Sequence, residues 1–139
     1  MKTIFFITSL FIVNLINSQI IRIKVYETIE FTTYDTLGIL SAVSKINGEF
    51  NSKQTNCEYV IDLTNNTDMF FRNGILETEA DITFINEGSL FIINFLYEGI
   101  DIGVIINTDI SNESFDWFSK NGDFYDISKA AKFEIIKSQ

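Results

Sequence analysis

The sequence predicts a mainly β protein: a single antiparallel small barrel or two-layer sandwich of about 7–8 strands, with one short helix near residues 112–121. Three observations predict it. Apolar and polar residues alternate with a period of two through most of the chain, as in half-buried strands. Turn pairs such as Asn73-Gly74 and Glu98-Gly99 separate these runs at hairpin distances. After Ile106 the alternation gives way to a stretch with helix-capping residues.

The first nineteen residues, "MKTIFFITSLFIVNLINSQ", stand apart from that pattern. Lys2 gives a charged end, Ile4 to Ile16 is mostly apolar, and Asn17-Ser18-Gln19 closes the stretch. This is the three-part order of an export signal, with small Ser18 at the cut. The apolar run is shorter than the roughly 20 residues of a membrane-spanning helix. No Cys follows it, so lipid attachment is not supported. Residues 1–18 are therefore read as a cleaved export signal and residues 19–139 as a single β-rich domain, secreted or periplasmic, with no membrane insertion of the mature chain.

In "IIRIKVYETIEFT", Ile21, Ile23 and Val25 face one way and Arg22 and Lys24 the other. Continued parity would place Glu27 on the apolar side, so a bulge or strand end is expected there. "YDTLG" reads as a turn, and Ile39–Ile46 as a strand ending at Asn47-Gly48. In "CEYVIDL", Cys57, Tyr59, Ile61 and Leu63 share a face. Met69 to Ile106 reads as a four-strand antiparallel meander, turning at Asn73-Gly74, at Asn86–Gly88 and at Glu98-Gly99. In its second arm Leu76, Thr78, Ala80, Ile82 and Phe84 oppose Glu77, Glu79, Asp81 and Thr83. "SLFIINFLY" is apolar on both faces, which predicts a central strand covered on both sides.

"SNESFDWFSKNG" offers Ser111 or Asn112 as N-cap, Glu113 in a first turn and Gly122 as a stop. "DISKAAK" is read as a helical turn or loop, and "FEII" as a last strand. The succession of strands resembles the eight-stranded lipocalin-like ligand barrels, without a family motif. That resemblance implies a cavity lined by residues such as Phe91, Ile93 and Phe95.

Composition narrows the chemistry. Without residues 1–18 the chain has 121 residues, 9 basic and 19 acidic, for a net charge of about −10. Such a surface repels phosphate backbones and anionic headgroups, which argues against nucleic acid as a partner. Cys57 is the single cysteine, so no disulfide forms within the chain, and it is read as a buried apolar residue. There is no histidine, the commonest acid–base group near neutral pH and the commonest metal ligand.

A Ser or Cys nucleophile would therefore have to use Lys or a carboxylate as its base, and "SAVSK" lacks the Ser-x-x-Lys spacing. Paired carboxylates can hydrolyse glycosides, but Glu77, Glu79 and Asp81 also make an ordinary solvated strand face. Asn107, Asp109, Ser111 and Glu113, with Asp116 nearby, could offer oxygens to calcium. Turn and capping roles explain the same residues, so neither a metal nor a cofactor is expected. Asn65-Asn66-Thr67 and Asn112-Glu113-Ser114 match the N-glycosylation pattern.

The expectation is an exported accessory or binding protein without catalysis, holding a protein partner or a small apolar ligand. The alternative is a small hydrolase, requiring two of Glu77, Glu79, Asp81, Asp101 and Asp109 to converge in a cleft. Candidate ligand- or partner-binding residues are Phe115, Trp117, Phe118, Phe124 and Tyr125, aromatics set among acidic residues.

Overall fold

A computed structural model describes residues 19–45 and 51–138. The export signal expected over residues 1–18 and the turn expected at Asn47-Gly48 lie outside them. The described chain is mostly antiparallel β-sheet with a single short helix. Its strands are β1 (Ile20–Tyr34), β2 (Lys53–Asp62), β3 (Thr67–Arg72), β4 (Ile75–Asp81), β5 (Thr83–Glu87), β6 (Leu90–Tyr97), β7 (Ile100–Asn107), β8 (Ser114–Asn121) and β9 (Phe124–Ser138). Helix α1 (Ile39–Ser44) follows β1. All nine strands belong to one sheet in the order β4-β3-β2-β1-β9-β8-β7-β6-β5.

The sheet curls into a half-barrel, and ring contacts show how tightly. In a flat sheet β2 and β8, three strands apart, would be about 14 Å from each other. Yet Tyr59 of β2 packs its ring 4.9 Å from Phe115 and 5.5 Å from Trp117 of β8, centroid to centroid, across the concave face. The core on that face runs through Ile21, Ile23, Val25, Ile61, Phe91, Ile93, Val104, Ile106 and Phe115. Cys57 is buried there as well, a free thiol. A second core covers part of the convex face, where Ala42 of α1 packs with Ile105, Phe118, Tyr125 and Ile127.

Local sequence accounts for much of this. Asn73 and Gly74 take φ of 50° and 78°, and Glu98 and Gly99 take 49° and 78°, the positive pair needed by tight hairpin turns. The irregularity expected at Glu27 is present. The register shifts between Val25 and Glu27 against both β2 and β9, and again between Glu27 and Thr28 against β9. Thr28 is consequently buried opposite Ala130 of the concave core, whereas Phe31 packs with the convex cluster.

Five expectations need correction. The helix near 112–121 is strand β8, laddered between β7 and β9. Pairing on both edges outweighs the capping signals there, and Asn112 N–H donates to Asp109 O at 2.8 Å in a turn instead. The helix is α1, in a stretch read as a strand. Ile39, Ala42 and Val43, at helical spacing, all reach the convex cluster. "DISKAAK" is neither helix nor loop but part of β9, which pairs with β1 along its length.

The fourth correction concerns Met69–Ile106, which is not one meander. Its second arm breaks at Ile82, where β4 stays with β3 at one edge of the sheet and β5 pairs with β6 at the other. Ile82 is buried, and its N–H donates to Asn66 O at 2.9 Å rather than to a strand. β6, expected to be a central strand covered on both sides, is instead next to the sheet edge and paired by β5 only as far as Asn94, with Asn94, Leu96 and Tyr97 exposed. No helix among the described residues is long and apolar enough to cross a membrane.

Candidate functional site

Where the two ends of the curled sheet approach each other, the concave face is left unfilled. The opening is a cleft of about 420 Å³. Tyr59 of β2 and Phe70 of β3 form one wall, with Thr78 of β4 beside them. Phe95 and Tyr97 of β6, Ile102 and Val104 of β7, and Trp117 of β8 form the other. The strand period dictates this gathering, because Phe95 pairs with Ile102 and Val104 with Trp117, and paired residues share a face. Tyr59 is the hub: its ring lies 4.7 Å from Phe70 as well as against Phe115 and Trp117.

One polar pair belongs to the cleft. Arg72 Nε lies 3.2 Å from Glu77 Oε1, and the guanidinium sits 5.6 Å from the centroid of the Phe70 ring. Glu77 reaches this side through a bulge. The register steps from Phe70–Thr78 to Phe71–Leu76, leaving Glu77 as the extra residue. All three of Glu77, Glu79 and Asp81 are exposed, as expected of a solvated row, but the bulge turns Glu77 toward the cleft. Burial pushes the Tyr59 phenol well above its ordinary range, assisted by the negative charge of Asp68, so it remains a neutral hydroxyl.

Asp68 sits one pleat from Phe70 on β3, opposite Ile61 and Ala80. Among the described residues its Oδ1 has no hydrogen-bond partner although it is buried, and desolvation raises its pKa to about 7. Asp116, on the convex side of β8, is also buried and raised by desolvation, opposed by Lys129 Nζ at 3.7 Å. Asp68 was not singled out from sequence, and Asp116 was named only as a neighbour of the candidate calcium oxygens; neither was among the five carboxylates of the hydrolase reading. Of that set, Glu77 lines the cleft, while Asp81 and Asp101 line a separate shallow groove.

The five predicted aromatic residues divide between faces. Trp117 lines the cleft and Phe115 lies fully buried behind it, with ring centroids 5.3 Å apart. Phe118 and Tyr125 are buried on the convex face, ring to ring at 5.9 Å. Phe124 is exposed near the β8–β9 turn, edge-on to Tyr34 at 5.3 Å. Of the residues expected to line a cavity, Phe95 does so, while Phe91 and Ile93 are packed in the core. Sequence reading missed Tyr59, Phe70, Arg72 and Tyr97 as cleft residues. The shared parity of Cys57, Tyr59 and Ile61 placed Tyr59 on an inner face, but nothing local said that this face met β8.

The candidate calcium oxygens are engaged in turns. Asn107 Oδ1 accepts from Asp109 N–H at 3.0 Å and from Ser89 Oγ at 3.2 Å, and Asp109 Oδ1 accepts from Ser111 N–H and Oγ. The described residues contain no group of three or more His, Cys, Asp or Glu positioned to hold a metal ion. The chain matches no protein-family model, no curated protein and no solved structure.

Proposed function

We propose that this protein is an exported binding protein, not an enzyme, and that it holds an apolar group of its ligand in the cleft between Tyr59, Phe95 and Trp117. The observation that carries the reading is the cleft itself: about 420 Å³, walled by aromatic and aliphatic side chains, with one ion pair as its polar feature. Ligand sites commonly have this size and composition, a mostly apolar wall with few polar groups to fix orientation. Export is supported by the order of charge, apolar run and small residue in residues 1–18.

Trp117 is the only tryptophan in the chain, so its emission reports on the cleft directly. The test is titration with the neutral apolar dye N-phenyl-1-naphthylamine. The expected result is saturable dye emission with matching quenching of Trp117. Both should be lost in Thr78→Phe, which fills the cleft from a half-buried position on β4. Equal binding by wild type and Thr78→Phe, or no saturable binding at all, would refute the assignment.

A further inference from the structure

The break at Ile82 leaves two strand edges without a ladder partner among the described residues, beside the same cleft. Among the described residues β4 has a pairing partner on its β3 side only. Among the described residues β5 pairs with β6 only as far as Asn94, so Phe95, Leu96 and Tyr97 have no ladder partner on that edge, although β4 passes close to β6. The cleft lies between these edges, with Glu77 and Thr78 on one side and Phe95 and Tyr97 on the other. Free backbone donors and acceptors beside an apolar pocket match the requirements of an added strand: ladder bonds to the edge, and a pocket for alternate side chains.

The surroundings select the occupant. Tyr97 is exposed at the cleft, and Ile75, Leu76, Leu96 and Ile100 are exposed elsewhere on β4, β6 and β7, the strands that border it, apolar surface that a partner would cover. Glu79 and Asp81 on β4, with Glu98 and Asp101 at the β6–β7 hairpin, make the rim acidic. Two cations lie nearby among the described residues: Arg72 is paired with Glu77, and Lys120, opposite Asp101 on β8, leans over the Tyr125 ring, so the four carboxylates outnumber the charge left to balance them. A second copy of this chain, with net charge −9, would meet repulsion there.

We infer that the cleft receives an extended, basic segment of a partner protein, which adds as a strand along β4 or β6 and turns alternate apolar side chains toward Trp117. This rests on the cleft being a binding site and names what enters it. Carboxylates at the rim would draw lysines or arginines on the outward-facing alternate positions, and Tyr59, Phe70 and Phe95 would enclose the inward ones.

The probes are the peptide acetyl-Lys-Phe-Lys-Phe-Lys-amide, the same peptide N-methylated at alternate residues, and N-phenyl-1-naphthylamine, each titrated against Trp117 emission. The parent peptide should bind and displace the dye. N-methylation, which removes ladder bonds while keeping charge and apolar groups, should weaken binding roughly tenfold or more. The exposed-site double variant E79K/D101K should weaken the peptide several-fold and leave dye affinity unchanged.

Dye binding without peptide binding, or equal binding of the two peptides, would overturn strand addition while leaving the cleft as a small-ligand site. Failure of both probes would remove the cleft reading as well. Concentration-dependent dimers that the peptide dissociates, seen by sedimentation, would assign the edges to a second copy and overturn the proposal.

Discussion

Asp35 and Asp68 are equally hidden from solvent, each about 3% exposed, yet they sit in opposite circumstances. Asp35 lies at the α1 corner on the convex side. Its carboxylate accepts from Leu37 N–H at 2.6 Å and Ser41 Oγ at 2.7 Å, and lies 2.9 Å from Lys45 Nζ. The Lys45 and Ser41 hydrogen bonds, against the opposing effect of burial, lower its pKa to about 2. Asp68, on the concave wall below the cleft, has a buried oxygen without a partner among the described residues, and its pKa rises to about 7. The convex corner is a closed structural joint in which polar groups are satisfied. Among the described residues Asp116 Oδ1 on the convex side of β8 is also buried without a hydrogen bond, but Lys129 lies 3.7 Å away; Asp68 has no such cation and shares its face with the cleft, and there the case for function is strongest.

The largest expected effect tests whether the aromatic run has divided roles. Phe115→Ala should destabilise by about 3–5 kcal/mol, as a fully buried ring lost from the concave core, and Phe124→Ala should change stability by less than about 0.5 kcal/mol. Chemical denaturation of both variants checks this. Similar losses would contradict the split between faces.

The two aspartates should separate by pH. Asp68 has a folded pKa raised from 3.8 to about 7, so the native state binds the extra proton and stability falls as pH rises through that window. At about 1.36 kcal/mol per pKa unit, the fall is on the order of 4 kcal/mol. Asp68→Asn should flatten it, as read from urea midpoints between pH 4 and 8. Asp35 has the opposite sign: its contribution is present above 3.8 and is lost as pH falls toward about 2. Asp35→Asn should therefore leave the slope between pH 4 and 8 in place.

A smaller loss is expected at the convex core. Gly103 pairs with Phe118, whose ring occupies the space a Cβ would need. Gly103→Ala should cost about 1–3 kcal/mol by overpacking, visible as a lower thermal midpoint. The smallest stability change belongs to the cleft rim. Arg72→Ala breaks an exposed ion pair worth less than about 1 kcal/mol, so its denaturation midpoint should barely move. Its effect should appear instead in ligand affinity.

Much of the sheet was legible because its signals are local. Asn73-Gly74 and Glu98-Gly99 specify their own turns, and Glu27 announces a bulge by sitting on the wrong parity. The alternation of Cys57, Tyr59 and Ile61 marks an inner face directly. What escaped reading depends on distant partners. Nothing local at Ile82 shows that the chain leaves β3 for β6 there, because Ala80, Ile82 and Phe84 continue one unbroken alternation. The Phe115–Phe118 spacing suits a helix as well as a strand with two covered faces, and only β7, β9 and α1 decide between them. Trp117 could be singled out as an aromatic among acids. Its companions Tyr59, Phe70 and Phe95 come from strands that meet it only through the curl of the sheet.

Amide hydrogen exchange, with and without saturating N-phenyl-1-naphthylamine, compares the two regions in one experiment. Exchange should slow in Ile75–Asp81 and Phe95–Tyr97, which border the cleft, and stay unchanged in Ile39–Ser44 of α1. Protection at α1 with none along β4 and β6 would place the binding site on the convex side and contradict it.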